Sequence, residues 1–145
     1  MKKILLNVIT IFCFLSQGCS NSCDDKYFIM KIRNESMDSI CYSLSFSDRF
    51  PLETSHFIIM PPCSEEEAAD MFQSDIDEGG MSIYVIRKKV ADRNGLDKIK
   101  REKIYDTVYV SHSYDELKAR GFVVKIRQAD FANSPYGADG NISPW

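Results

Sequence analysis

The segment ICYSLSFSD, Ile40 to Asp48, places Ile40, Tyr42, Leu44 and Phe46 at one parity and Cys41, Ser43, Ser45 and Ser47 at the other. Side chains alternate across the two faces of a strand, so this pattern is a half-buried strand whose apolar face needs a second layer to cover it. The same alternation recurs at Phe28, Met30 and Ile32 within KYFIMKIRNES, in YDTVYVSH (Tyr105–His112) and in FVVKIR (Phe122–Arg127). In MSIYVIRKK the centre, Ile83 to Ile86, is apolar at both parities, which predicts a central strand covered on both faces. The first two strands, separated by the turn-rich NESMDS, are expected to pair antiparallel.

Punctuation between these runs sets the rest. Pro61 and Pro62 cannot donate to a ladder, so the extended piece His56–Met60 ends there and a new element follows. Ser64 to Glu67 reads S-x-x-E, a helix-start signature, and Ala68, Met71, Phe72 and Ile76 follow at helical spacing, which predicts a helix ending before Gly79-Gly80. Residues 90–103 read as a loop or short helix. Ser113 to Glu116 repeats the cap and opens a short helix through Arg120, with Gly121 placed for a left-handed helix end. From Gln128 onward no period is visible, and Phe131, Tyr136 and Trp145 are the candidates for pinning this tail to the body. The expected fold is mainly β, α+β: an antiparallel sheet or small sandwich with one to three short helices.

The amino terminus carries an address. Lys2 and Lys3 precede a 12-residue apolar run, Ile4–Leu15, interrupted by Asn7 and Thr10. A membrane span needs about 20 apolar residues, so this run suits an export signal instead. Ser16 and Gly18 supply the small side chains a signal peptidase needs ahead of a cut at Cys19. The stretch Ser16–Cys19 resembles a bacterial lipobox, although Leu15 lies one place further from the cysteine than that pattern's usual leucine. The resemblance implies lipid on Cys19 and attachment to the membrane through it; the alternative is a secreted chain whose first residue is cysteine. SNSCDD then reads as a tether, and Asp24-Asp25 is similar to an acidic export tag for the outer face or is a solvated linker. The organisation is therefore a signal at residues 1–18, lipidated Cys19 and tether at 19–26, a β-rich domain at 27–128 and an irregular tail at 129–145. The expected location is the cell envelope, at the outer membrane, with surface exposure favoured by the acidic pair.

Loss of Lys2 and Lys3 with the signal takes the net charge from −3 to −5. A mildly acidic chain has no global pull toward nucleic acid, and none is expected as partner. Export permits disulfides. Cys41 and Cys63 are the candidate pair, worth about 3 kcal/mol as a bridge; otherwise Cys41 is a small buried apolar side chain.

The succession IRNES, DSI, FP, SIYVI and YDTVYVSHSYDELKARGFVVKI resembles a set of short lipoproteins from gut Gram-negative bacteria across residues 28–127. The resemblance implies a sheet region ending in strand, short helix and final strand. That set carries no established activity, so a fold is implied and a function is not.

No catalytic constellation is legible. His112, Ser113 and Asp115 adjoin one another in HSYD, whereas triad members converge from separate elements, and the helix cap already employs the serine. Cys41 with His56 lacks any flanking signature of a nucleophile and its base. Two histidines and cysteines without close paired spacing match no zinc pattern, Asp92–Glu102 lacks the alternating ligands of a calcium loop, and no phosphate-cradling glycine loop occurs. No metal or cofactor is expected. One charge concentration exists: Arg87, Lys88, Lys89, Arg93, Lys98, Lys100, Arg101 and Lys103, against Asp92, Asp97 and Glu102. It is either a patch for an anionic partner or a solvated helix with edge lysines. The leading expectation is a non-catalytic binding or structural domain at the envelope. The alternative is an envelope hydrolase-like enzyme with a site assembled from scattered residues.

Overall fold

The computed structural model describes residues 25–46, 56–137 and 140–141. In chain order the elements are β1 (Tyr27–Asn34), β2 (Ile40–Ser45), β3 (Ile58–Met60), β4 (Ser64–Phe72), α1 (Gln73–Asp77), β5 (Met81–Arg87), α2 (Lys88–Asn94), α3 (Leu96–Glu102), β6 (Thr107–Ser111), α4 (Tyr114–Ala119), β7 (Val123–Ile126) and a 3-10 turn, Gln128–Phe131. The fold is mainly β, of the α+β sandwich kind. Sheet A has the order β4-β1-β7 and sheet B the order β3-β2-β5-β6.

The period of two decides what lies between the sheets. Phe28, Met30 and Ile32 of β1 with Val124 and Ile126 of β7 meet Ile40 and Tyr42 of β2 and Met81, Ile83 and Val85 of β5 in one buried cluster. Cys41 and Ile86 have the opposite parity. They face away from sheet A and join Val90, Ala91, Ile99, Tyr105 and Tyr136 in a second cluster beneath α2 and α3. Sheet B is thus covered on both faces, and β5 lies between β2 and β6, as its two-faced apolar centre predicts.

β1 and β2 do not pair with each other. β1 pairs antiparallel with β4 and parallel with β7, while β2 pairs with β3 and β5. The chain crosses between sheets instead, through an arch built on buried polar side chains. Asn34 Nδ2 donates to Asp38 O and Pro61 O, both at 2.9 Å. Ser36 Oγ donates to Asn34 Oδ1 at 2.7 Å. Pro61-Pro62 form the return arch, from β3 in sheet B to β4 in sheet A. Asn34 therefore ties the two crossings together and closes this side of the sandwich. Sheet A is mixed rather than antiparallel because β7 arrives from α4 running alongside β1.

The helix expected from Ser64 is a nine-residue strand, and only Gln73–Asp77 is helical there. An N-cap stabilises by about 1 kcal/mol, and the strand gains more. Glu65 lies opposite Arg33 and Glu67 opposite Lys31. Glu66 turns inward, where it accepts the Tyr42 hydroxyl at 2.5 Å. The strand is interrupted once. The β1–β4 register shifts between Met30 and Lys31, so that Ala68 opposes no residue. This bulge changes the phase, bringing Ala69 and Met71 to the core side in place of Asp70. Of the expected helical stripe, Met71 and Ile76 are buried and Ala68 is half-buried, but Phe72 is exposed at the end of the strand. The described residues hold four short α-helices in all, one more than expected.

Ser113 caps α4 as its spacing predicts, its Oγ accepting Glu116 N–H at 3.3 Å. Gly121 and Phe122 both have positive φ, 65° and 58°. This reverses the chain into β7 and stacks the Phe122 ring 4.8 Å from that of Phe28. Gly80, at φ 72°, needs its missing Cβ: one added there would approach Ser111 O to 3.0 Å. The tail from Gln128 to Tyr136 is part of the body, since Phe131 and Tyr136 are buried. Trp145 lies outside the described residues.

Candidate functional site

Cys19, the lipidation candidate, lies outside the described residues. Cys41 and Cys63 are free thiols and form no bridge. Their surroundings differ: Cys41 is buried on the helix side of β2, and burial raises its thiol pKa. Cys63 is exposed in the return arch, its Sγ 3.9 Å from Ser36 O.

The basic run does not form a single surface. Arg87, its first member, is buried at 5% exposure. Its Nη2 lies 2.8 Å from Asp106 Oδ1 and its backbone N–H donates to Asp106 Oδ2 at 2.5 Å. The same Nη2 reaches Tyr136 O at 2.9 Å, while Ser134 Oγ donates to Asp106 Oδ1. A buried pair with both carboxylate oxygens engaged holds the tail against sheet B and offers nothing to a partner. Lys88 bonds Asp92 at 2.5 Å and Lys89 bonds Asp38 at 3.0 Å. Lys100 lies over the Phe57 ring, 5.6 Å from its centre. Arg93, Lys98, Arg101 and Lys103 are exposed along α2 and α3, whose buried Val90 and Ile99 cover sheet B. The run is mostly the solvated side of a helical layer.

His112, Ser113 and Asp115 do not converge. Ser113 serves the cap, His112 N–H donates to Glu116 Oε2 at 2.8 Å, and Asp115 is exposed. His56 is exposed ahead of β3. No cluster of three metal-ligating side chains occurs among the described residues.

The sandwich has one closed side, where the two arches meet, and one open side between edge strands β6 and β7. A cleft of about 470 Å3 lies at the open side, lined by Tyr109 of β6, Ala119 and Arg120 at the end of α4, Val123, Val124 and Lys125 of β7, and Arg127 and Asp130 beyond it. Asp130 Oδ2 accepts both the Tyr109 hydroxyl, at 2.5 Å, and Arg127 N–H, at 2.6 Å. Burial first, and then the Asp130 carboxylate, push the Tyr109 pKa far above its ordinary value, so Tyr109 stays a neutral donor. With Asp130 engaged inward, the rim is cationic. Lys125 and Arg127 are 42% and 63% exposed, and both reach Glu35, at 3.5 and 3.4 Å. Exposed pairs of this kind contribute little and exchange readily with an incoming carboxylate.

Nothing in the local sequence marks Arg120, Lys125 and Arg127 as cleft residues. FVVKIR shows only that Lys125 and Arg127 share one parity while Val124 and Ile126 share the other. What the pattern lacks is the identity of the neighbours, which makes this parity the rim of an open edge. A second depression, of about 340 Å3 and lined by Arg33, Asn34, Glu35, Cys63, Ser64 and Glu65, lies at the closed side. Its polar groups are already engaged with one another: Arg33 Nη2 reaches Glu65 at 2.5 Å and Ser64 Oγ donates to Pro61 O at 2.6 Å. No protein-family model, curated protein or solved structure matches the chain.

Proposed function

We propose that this protein is a lipid-anchored domain of the cell envelope, held at the outer membrane through Cys19, that works by contact with another macromolecule and not by chemistry on a substrate. The observation that carries the binding half is the open side of the sandwich. There a cleft presents cations and apolar wall, whereas Ser113 is engaged in a helix cap, Arg87 is engaged with Asp106 and the tail, and His112, Ser113 and Asp115 do not converge. The anchoring half rests on the order basic start, brief apolar run, small residues, cysteine. Among the described residues no helix is long and apolar enough to cross a membrane. Two or more acyl chains on Cys19 would hold the domain stably without one.

Intact-mass measurement of protein from a membrane fraction tests the anchor. The expected species lacks residues 1–18 and carries a lipid increment on Cys19, and Cys19→Ser should leave the membrane fraction. A chain that keeps Met1, or an unmodified Cys19 on a membrane-free protein, sinks the anchor. Protease treatment of intact cells then assigns the face: digestion indicates surface display.

A further inference from the structure

We infer that the free edge of β7 takes an extended acidic segment of another polypeptide, which joins sheet A as a fourth strand with its carboxylates beside Lys125 and Arg127. The inference rests on the binding reading above and names the partner's chemistry.

The backbone defines the edge. Among the described residues β7 pairs with β1 alone. Lys31 N–H donates to Phe122 O at 2.9 Å and Glu35 N–H to Ile126 O at 2.7 Å, so residues of even number turn their backbone groups toward β1. Alternation sends those of Val123 and Lys125 the other way. Val123 N–H is taken by Arg120 O at 3.4 Å, and Arg127 N–H by Asp130. Among the described residues, Val123 C=O and both groups of Lys125 remain for an incoming strand. A short open stretch closed at both ends admits a defined partner and discourages indiscriminate sheet extension.

Charge defines what fits. The outer face of sheet A is a ladder of ionised side chains. Glu65 and Glu67 on β4 oppose Arg33 and Lys31 on β1. On the other flank Arg33 lies opposite Lys125, a like-charge pair across the strands. One carboxylate serves this flank: Glu35 reaches Arg33 at 3.9 Å, Lys125 at 3.5 Å and Arg127 at 3.4 Å. An acidic strand beside β7 would do for Lys125 and Arg127 what β4 does for Lys31 and Arg33. Its side chains of opposite parity would enter the cleft beside Tyr109 and Val124, whose volume of about 470 Å3 holds a few apolar groups. The recognised pattern is acidic and apolar in alternation.

The test uses the full chain in nonionic detergent, whatever its amino terminus, and a labelled eight-residue peptide alternating Glu and Val. Fluorescence anisotropy should show saturable binding that weakens with salt. Hydrogen exchange should slow at Lys125 N–H. The double variant Lys125→Glu, Arg127→Glu should weaken binding roughly tenfold or more with an unchanged melting temperature, since both side chains are exposed. A peptide N-methylated at alternate residues keeps its charge and should lose binding. No saturation with the alternating peptide overturns the inference. So does equal binding of the N-methylated peptide, or of a sulfated oligosaccharide in its place, because either outcome reduces the edge to a diffuse anion surface. Failure in this form leaves lipid on Cys19 untouched, and an unmodified Cys19 leaves the peptide result untouched.

Discussion

Arg87 shows how far a residue's meaning depends on its partner. In sequence it opens a basic run, yet in the structure it is the most buried member, locked to Asp106 and the tail carbonyl of Tyr136. Removing one member of such a pair leaves an uncompensated buried charge, at a cost of about 3–5 kcal/mol. Asp106→Asn is therefore expected to lower stability to denaturant by about that amount, read from equilibrium urea unfolding. Arg87→Lys should not rescue the site, because one ammonium cannot replace a fork that bonds Asp106 and Tyr136 together. A loss below about 1 kcal/mol in Asp106→Asn would mean that the pair is not closed in solution. Ser113 is the contrasting case, legible from sequence because its job is local. Ser113→Ala should cost about 1 kcal/mol through the lost N-cap, measurable in the same assay.

At the scale of elements, β4 is decided by its neighbour. Its acids are matched by β1, and Glu65 is held below the usual carboxyl range chiefly by the hydrogen bond from Arg33 Nε, at 2.6 Å. Asp77, which accepts Tyr114 N–H and so joins α1 to α4, is lowered in the same sense. A carboxyl whose folded pKa is depressed contributes stability that is complete above its unfolded value, about 4, and is lost as pH falls through the folded value. The melting temperature should therefore be level above about pH 5 and decline in acid. Arg33→Gln should make that decline shallower, since Glu65 then titrates nearly as it does unfolded. An acid limb of the same slope in both proteins would remove Arg33–Glu65 as its source. The helix expected at Ser64 failed for a related reason. A cap motif and an i, i+3 spacing are short-range signals, and pairing of Ser64–Phe72 along the length of β1 overrides them.

At the scale of the whole molecule, the tail completes the body. Phe131 belongs to the core between the sheets and Tyr136 to the cluster beneath the helices. Truncation after Gln128 removes both, together with the Arg87 acceptors at Ser134 and Tyr136. It is expected to lower the unfolding free energy by several kcal/mol, on the scale of a lost buried aromatic, about 3–5 kcal/mol each, or to prevent folding. Circular dichroism of the truncated chain measures this, and a native-like melt would show the tail to be dispensable. Tail residues 131 and 136 stand out in the sequence as aromatic, but aromatic character alone does not specify which layer each one enters.

The amino-acid sequence by itself determined where β1, β2, β5, β6 and β7 form, which side chains of β1 and β2 face inward, the central place of Ile83–Ile86 and the cap at Ser113. Each of these is a property of neighbours along the chain, and alternation and caps act within a few residues. Tertiary structure alone decided that β1 and β2 part into different sheets, that Ser64–Phe72 extends against β1, that Arg87 is buried and that Lys125 and Arg127 rim an open edge. These outcomes depend on pairing between residues far apart in sequence, where charge and hydrogen-bond partners brought together by folding outweigh preferences of about 1 kcal/mol set locally.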